Sequence, residues 1–362
     1  MLRGGSAGRT GGAARSPRPG GGDSVTVAPR APVLPQALRP GDLVAIVSPG
    51  AGLAGQFPAR LASGRKALHD MGFRTMLSAH ARHTGRWAAG TAQERARDLM
   101  DVFADPEVRG VITAIGGRGT AEVLEHVDYD VIAANPKVFC GYSDITSLHS
   151  AIAAETGLVT FYGPSVLMEF GDTPTPFPET ADAFLRAVGV PGPLGEIAAQ
   201  SDIVVEGTDW EAPHPRRRVP APTPRLVRPG CGSGPLAGGC LPVVTSLIGT
   251  PWEVRATGSV LVLETPQAPY VMDAARADLW HLRQAGHLSE LAALVVGWPF
   301  ALEQVDDLAE ILDDVVPPEA DYPVLLGRPV GHTSPMTTLP LGVCARVDGA
   351  TLMITDTATR GA

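Results

Sequence analysis

Ser143, Glu264 and His332 lie far apart in the chain but are the three residue types that a serine hydrolase needs. A serine hydroxyl becomes a nucleophile when an imidazole takes its proton. The imidazole then needs an acceptor on its other ring nitrogen, which selects the tautomer and stabilises the imidazolium. Ser143 follows the apolar run Val138-Phe139-Cys140 and then Gly141-Tyr142, and an amphipathic helix starts at once with Ile145-Thr146-Ser147-Leu148. A serine at such a strand-to-helix turn stands beside unpaired backbone N–H groups, which can stabilise an oxyanion. Serine is also a favoured N-cap, so the turn alone equally fits an ordinary cap. Glu264 closes the apolar strand Ser259–Leu263, where a carboxylate serves as a cap partner, an ion-pair member or a functional group. His332 lies in the loop Gly331-His332-Thr333-Ser334-Pro335 and, taken alone, reads as a solvated loop histidine. The combination is what singles them out. Ser…Glu…His is also the order in α/β-hydrolases, but their G-x-S-x-G turn fails here, because Ile145 stands two residues after Ser143.

The elements that must position these residues alternate between strand and helix. Leu43–Val47 is a continuous apolar run suited to a buried parallel strand, and Ser48-Pro49-Gly50-Ala51-Gly52 follows it. A helix over roughly 57–71, a strand over 73–77, a helix over 92–103 and a strand over 110–115 come next. That last strand runs into Gly116-Gly117-Arg118-Gly119-Thr120. Such alternation predicts a parallel sheet with helices on both faces and ligands beyond the carboxyl ends of its strands, where the Ser48, Gly116 and Ser143 loops gather. Beyond Phe161-Tyr162-Gly163-Pro164 the pattern is less regular. It resumes with a strand over 259–263, a helix over about 270–285, a strand over 291–298 and short strands near 324–326, 342–347 and 352–354.

The expected fold class is therefore α/β, an N-terminal parallel-sheet three-layer domain plus a smaller C-terminal β-containing α/β domain. Residues 1–37, rich in Gly, Arg, Ala and Pro, read as a disordered extension. Residues 38–166 form the domain with Ser143, 167–232 a linker and substrate loop, and 233–358 the domain with Glu264 and His332. Within the linker, Pro213–Pro224 is dense in proline and arginine; it fits a solvated connection or a lid over the substrate.

Bulk properties remove several classes. A net charge of −9 and an aromatic content of 5% argue against nucleic acid as a partner. The four cysteines form no C-x-x-C pair, no histidine cluster accompanies them, and H-E-x-x-H is absent; a structural disulfide, zinc and any other metal or cofactor are not expected. No G-x-G-x-x-G follows the first strand, which disfavours a nucleotide-dependent oxidoreductase. There is no apolar run long enough to span a membrane, and no apolar stretch follows Arg3, Arg9, Arg15 and Arg18, so neither membrane attachment nor a signal peptide is expected and the location read is cytoplasmic.

Several segments in order resemble the serine LD-carboxypeptidases. They are Leu38-Arg39-Pro40-Gly41-Asp42 with Ser48-Pro49, Ile115-Gly116-Gly117-x-Gly119, Gly141-Tyr142-Ser143-Asp144-Ile145-Thr146-Ser147-Leu148-His149 and Phe161-Tyr162-Gly163-Pro164. In the second half come Leu236-Ala237-Gly238-Gly239-Cys240-Leu241, Gly249-Thr250-Pro251, Leu261-Val262-Leu263-Glu264-Thr265 and Gly331-His332 with Leu339-Pro340-Leu341-Gly342. Each segment is weak alone; the ordered set, over about 38–355, is specific. The resemblance implies Ser143 as nucleophile, His332 as general base and then acid, Glu264 as its orienter, and the Gly117 and Asp144 N–H groups as the oxyanion hole. It also implies a site between two domains, no metal, and a homodimer.

Two substrate classes follow from the resemblance: the L,D-linked tetrapeptide of cell-wall muropeptides, and the peptidyl or aminoacyl nucleotides cleaved by the microcin C immunity branch. Gly331–Met336 and Asp209-Trp210-Glu211 are similar to the second branch, where Trp210 would stack on a nucleobase; it would otherwise pack on the domain surface. Arg118 would pair with a substrate carboxylate or lie solvated. Cys240 stands where many members have Asn, as a small buried thiol. A non-catalytic cleft-binding protein is the alternative from another class.

Overall fold

The computed structural model describes residues 30–204 and 206–361. Five parallel strands come first: β1 (Leu43–Val47), β2 (Arg74–Leu77), β3 (Val108–Thr113), β4 (Val138–Gly141) and β5 (Thr160–Tyr162). Their spatial order is β5-β4-β3-β1-β2. β1 lies second from the edge and is flanked on both sides, which is why the apolar run Leu43–Val47 needs no polar alternation. Helices Pro58–Asp70, Ala92–Ala104 and Thr146–Thr156 return the chain between strands. The helix Ala92–Ala104 starts at a capping box in which Thr91 and Glu94 satisfy each other's backbone N–H.

The intervening chain is more than a connection. It forms the helix Pro178–Gly189 and the strands β6 (Pro193–Glu196), β7 (Asp202–Val204), β8 (Arg218–Pro220) and β9 (Arg225–Arg228). The remaining strands are β10 (Cys231–Cys240), β11 (Val260–Glu264), β12 (Ala293–Gly297), β13 (Val324–Arg328), β14 (Leu339–Leu341), β15 (Cys344–Asp348) and β16 (Thr351–Thr357). A second sheet runs β6-β16-β15-β10-β11-β12-β13-β9. Its β10 to β13 are mutually parallel, and β10 also pairs antiparallel with β15 through its first half.

The architecture is the expected two-part α/β arrangement, and three boundaries differ from the reading of the sequence. β6 and β9, placed in the linker, cover the two edges of the second sheet, since an open edge leaves backbone groups unpaired. β14, placed in the C-terminal domain, adds antiparallel to β5 as the sixth strand of the first sheet. Of the extension expected over 1–37, residues 30–37 are ordered: Val33 pairs with Leu158, Gln36 with Arg360, and Ala37 and Leu38 are buried. Residues 1–29 lie outside the described chain.

One apolar core contains Val44, Ile112, Tyr162 and Leu339 from the first sheet and Val260, Val295 and Ile354 from the second. The two sheets are therefore packed together rather than tethered, and the seam between them is where the carboxyl ends of β4 and β11 meet. Among the described residues no helix is long and apolar enough to cross a membrane.

Candidate active site

β4 ends at Gly141, and Ser143 opens a single 3₁₀ turn before the helix Thr146–Thr156. Its φ is +66°, the one positive value at a non-glycine among the described residues. That left-handed conformation costs of order 1 kcal/mol or more for a residue with a Cβ, so the surroundings must hold it. Several groups do so. The Ser143 carbonyl accepts from Thr146 Oγ1 (2.6 Å), and Thr146 Oγ1 in turn accepts from the Cys240 N–H (3.0 Å) at the end of β10. The Ser143 N–H donates to the Tyr162 hydroxyl (3.1 Å). Gly116 lies so close that a Cβ there would stand 2.9 Å from Ser143 Cβ and 3.0 Å from the Asp144 nitrogen. The Asp144 carboxylate accepts from the Thr120 N–H (2.8 Å), clasping the Gly116–Thr120 turn to the serine turn.

The Ser143 hydroxyl donates to His332 Nε2 (3.1 Å), and His332 Nδ1–H donates to Glu264 Oε2 (2.7 Å). The sequence separations are 189 and 68 residues, and only the seam between the sheets closes them. Glu264 is the last residue of β11 and has no exposed surface. Gly331, at φ +88°, lets the histidine loop approach: a Cβ there would fall 2.4 Å from the Glu264 carboxyl carbon.

Glu264 Oε1 accepts from the Tyr162 hydroxyl (2.6 Å), and the Cys240 thiol lies within 4.8 Å of the same carboxylate. Burial pushes the Glu264 carboxyl up. The charge of His332 and the hydrogen bonds from His332 and Tyr162, with the neighbouring Cys240 thiol, outweigh it, leaving its pKa below the ordinary value. Burial pushes the Tyr162 phenol and the Cys240 thiol well up, so both remain protonated donors. Tyr162 thus links the serine backbone to the carboxylate and completes a ring of hydrogen bonds: Ser143 N–H to Tyr162, Tyr162 to Glu264, His332 to Glu264, Ser143 Oγ to His332.

Ser143 sits between two hollows. One, of about 470 Å³, is bounded by Gly117, Tyr142, Glu169, Trp210, Arg216 and His332 among others. The other, of about 330 Å³, is bounded by Arg118, Asp144, Cys240, Gln267 and Tyr270. Arg118 and Trp210, both read from the sequence as substrate contacts, therefore line different hollows beside the serine. Arg118 is exposed. Trp210 is half-buried, packs edge-on against Phe57 (4.8 Å between centroids) and carries the Arg60 guanidinium 5.1 Å over its ring. It thus packs on the domain surface while also lining the first hollow. Gly117 borders both hollows and Asp144 the second, so the two residues expected to supply oxyanion donors flank Ser143.

Sequence reasoning did not assign several residues that shape this site. Tyr162 reads from the sequence only as the close of the first unit; its partner Glu264 is 102 residues away. Arg216, in the proline-rich segment, donates to Asp172 and to Ser334 (3.1 Å), two residues past His332, with little exposure of its side chain or of Asp172. Tyr142 donates to buried Glu169 (2.8 Å), whose carboxyl burial pushes up. No local signal marks these pairs. Ligand atoms of Cys240, Glu264 and His332 lie within 4.8 Å of one another, as do those of His80, His83 and Glu94 outside the two hollows. In the first group both imidazole nitrogens and both carboxylate oxygens are already hydrogen-bonded.

Residues 44–163 match the family profile of the LD-carboxypeptidase N-terminal domain, and residues 233–347 that of the LD-carboxypeptidase C-terminal domain. A probable murein peptide carboxypeptidase of Bacillus subtilis is 31% identical, over 87% of this chain and 92% of its own length. The microcin C7 self-immunity protein MccF of Escherichia coli is 28% identical, over 88% and 93%. Among solved structures, MccF in complex with glutamyl sulfamoyl guanosine superposes with a TM-score of 0.83 at 26% identity, covering 91% of this chain and all of that one. An MccF-like protein from Bacillus anthracis gives 0.84 at 28%, covering 90% and 99%.

Proposed function

This chain belongs to the LD-carboxypeptidase family of serine-type hydrolases, and from that premise we propose that it cleaves an amide bond near a carboxyl terminus through a Ser143–His332–Glu264 triad. The observation that carries this reading is the relay from Ser143 Oγ through His332 to Glu264, at 3.1 and 2.7 Å.

His332 Nε2 takes the hydroxyl proton as Ser143 Oγ attacks the carbonyl carbon. Glu264, buried and ionised, holds Nδ1–H and stabilises the imidazolium. Negative charge grows on the carbonyl oxygen, where the N–H groups of Gly117 and Asp144 receive it. The Ser143 N–H is already engaged by Tyr162 and takes no part. His332 then returns the proton to the leaving amine, and an acyl-enzyme remains on Ser143. Water, deprotonated by the same imidazole, releases it. The two hollows take the two sides of the scissile bond.

The substrate class that best fits is a small peptide of the cell wall, the L,D-linked muropeptide tetrapeptide trimmed to a tripeptide, with Arg118 receiving the terminal carboxylate. A second reading is a peptidyl or aminoacyl nucleotide, favoured by Trp210 on the wall of the larger hollow, where its ring offers a stacking surface. A cytoplasmic location and a homodimer accompany both readings.

Mass spectrometry of the products from a muropeptide tetrapeptide and from an aminoacyl-sulfamoyl adenosine separates the two. Loss of terminal alanine from the first alone supports the carboxypeptidase reading; cleavage of the second alone supports the nucleotide reading. Ser143→Ala is expected to lower kcat at least about a thousandfold on whichever substrate is cleaved. Ligand binding without turnover in both forms would leave only a binding protein.

A further inference from the structure

A second polar constellation lies where the loop after β2 meets the start of the helix Ala92–Ala104. His80 Nδ1–H donates to Asp98 Oδ1 (2.7 Å). Asp98 is 4% exposed and is itself fixed by the Ser78 hydroxyl (2.6 Å) and the His80 N–H (2.8 Å), both on Oδ2. This arrangement selects one tautomer of His80 and leaves the lone pair on Nε2. That nitrogen faces Glu94 Oε1 at 3.9 Å. The other carboxylate oxygen of Glu94 is committed to the capping box, accepting from the Thr91 N–H (2.8 Å) and the Thr91 hydroxyl (3.0 Å). Oε1 carries none of those bonds. The His83 ring packs edge-on against His80 with 4.8 Å between centroids, and a nitrogen of each ring and a Glu94 oxygen all fall within 4.8 Å of one another.

A ring nitrogen and a carboxylate oxygen thus stand 3.9 Å apart, too far for a hydrogen bond. Such a gap is stable when a positive charge fills it. At 3.9 Å the two atoms stand somewhat wider than the roughly 3.3 Å between two ligands of a tetrahedral zinc with bonds of about 2 Å, so a shift of a few tenths of an ångström in either side chain seats both on one ion. A carboxylate behind a ligating histidine is also the usual outer support of a metal site, because it orients the ring and raises its basicity.

We propose that His80, His83 and Glu94 bind a divalent transition-metal ion, zinc fitting the donor set best, with Asp98 as the outer support and solvent in the open position. His83 is exposed, so the ion has a route in from solvent. The ion joins the loop after β2 to the first turn of the following helix. The same loop backs the cleft: the Ala89 N–H donates to the Gly50 carbonyl, and the neighbouring Ala51 N–H to the Gly116 carbonyl. The site is independent of the triad and takes no part in the hydrolytic steps.

The test is a calorimetric titration of the chelator-treated full-length protein with zinc chloride, with cobalt(II) absorption reporting the ligand set. One equivalent is expected, together with a rise in melting temperature. His83→Ala, an exposed position, should weaken binding at least about tenfold. Glu94→Gln keeps a capping-box residue and so preserves the helix start while removing the charged ligand; it should weaken binding comparably. His332→Ala should retain the full equivalent, which separates this site from the Cys240–Glu264–His332 group. Absence of zinc binding below about 100 µM in the wild type, or affinity unchanged in both ligand variants, would overturn the proposal and leave His80 and Glu94 sharing a proton only.

Discussion

Tyr162→Phe removes one oxygen atom and tests whether the hydrogen-bond ring, rather than the triad alone, holds the serine in its strained conformation. The hydroxyl serves two partners, accepting from Ser143 N–H at 3.1 Å and donating to Glu264 at 2.6 Å. A hydrogen bond to an ionised group is worth roughly 1.5–3 kcal/mol, and an N–H left unpaired in a buried place costs roughly 1–3 kcal/mol. The loss of stability should therefore fall between about 2.5 and 6 kcal/mol, with almost no change in packing volume. Ser143 would be less firmly held at φ +66°, and Glu264 would lose one of the donors that keep it ionised in the interior. Tyr162 does not border either hollow, so substrate affinity should change little. Steady-state kinetics should show kcat reduced about 10- to 100-fold with KM within about threefold, the range given by about 1.4–2.7 kcal/mol of lost transition-state stabilisation. Urea unfolding read beside kinetics makes the test two-sided. A variant with wild-type stability and kcat within twofold would refute the idea that the phenol organises the nucleophile. A raised KM at unchanged kcat would move Tyr162 from positioning to binding.

Further expectations rest on other contacts. Gly331→Ala places a methyl 2.4 Å from the Glu264 carboxyl at a φ of +88°; overpacking and the left-handed conformation together should destabilise by about 2–5 kcal/mol in chemical denaturation, and a loss under about 1 kcal/mol would contradict the close approach. His149 is buried, its ring bonded to Thr160 and Gly141, and burial lowers its pKa to about 4. The unfolded chain then binds more protons than the folded one between about pH 4 and 6.5, so stability should rise with pH across that window by roughly 3 kcal/mol, and His149→Gln should flatten the slope. An unchanged slope in that variant would assign the acid lability to other groups. Asp172→Asn leaves Arg216 poorly exposed without its carboxylate partner, and breaking such a pair from one side should cost about 3–5 kcal/mol in thermal or denaturant unfolding; a loss below about 1 kcal/mol would mean the pair is hydrated in solution. Trp210→Ala should raise KM for an aminoacyl nucleotide about tenfold and leave that for a tetrapeptide unchanged; equal effects on both would remove the stacking role.

β1 to β4 of the first sheet were legible because each of these strands is defined by its own residues. Leu43–Val47 is apolar throughout because both of its faces are covered, and the strand-turn-helix around Ser143 shows in the switch from an apolar run to helical spacing. Residue types at a strand-to-helix turn, a strand end and a loop, together with the ordered family segments, nominated Ser143, Glu264 and His332, since nucleophile, base and orienter demand those chemistries. The edges were not legible. β6, β9 and β14 are three or four residues long and acquire strand character from the neighbour they complete, so their own sequences, rich in Pro, Gly and Arg, carry no strand periodicity. The role of Cys240 was equally hidden, because the end of β10 meets the end of β11 only by register: Cys240 stands directly beside Glu264.

The chain by itself determined which chemistry was available and the order in which its carriers occur, because side-chain type and local periodicity are properties of single segments. Tertiary structure alone decided that a hydroxyl, an imidazole and a carboxylate are hydrogen-bonded in series, that Tyr162 closes their ring, and that Arg118 and Trp210 line different hollows beside the serine. Those are distances between segments tens to nearly two hundred residues apart, and a distance exists only once the two sheets have packed across one apolar core.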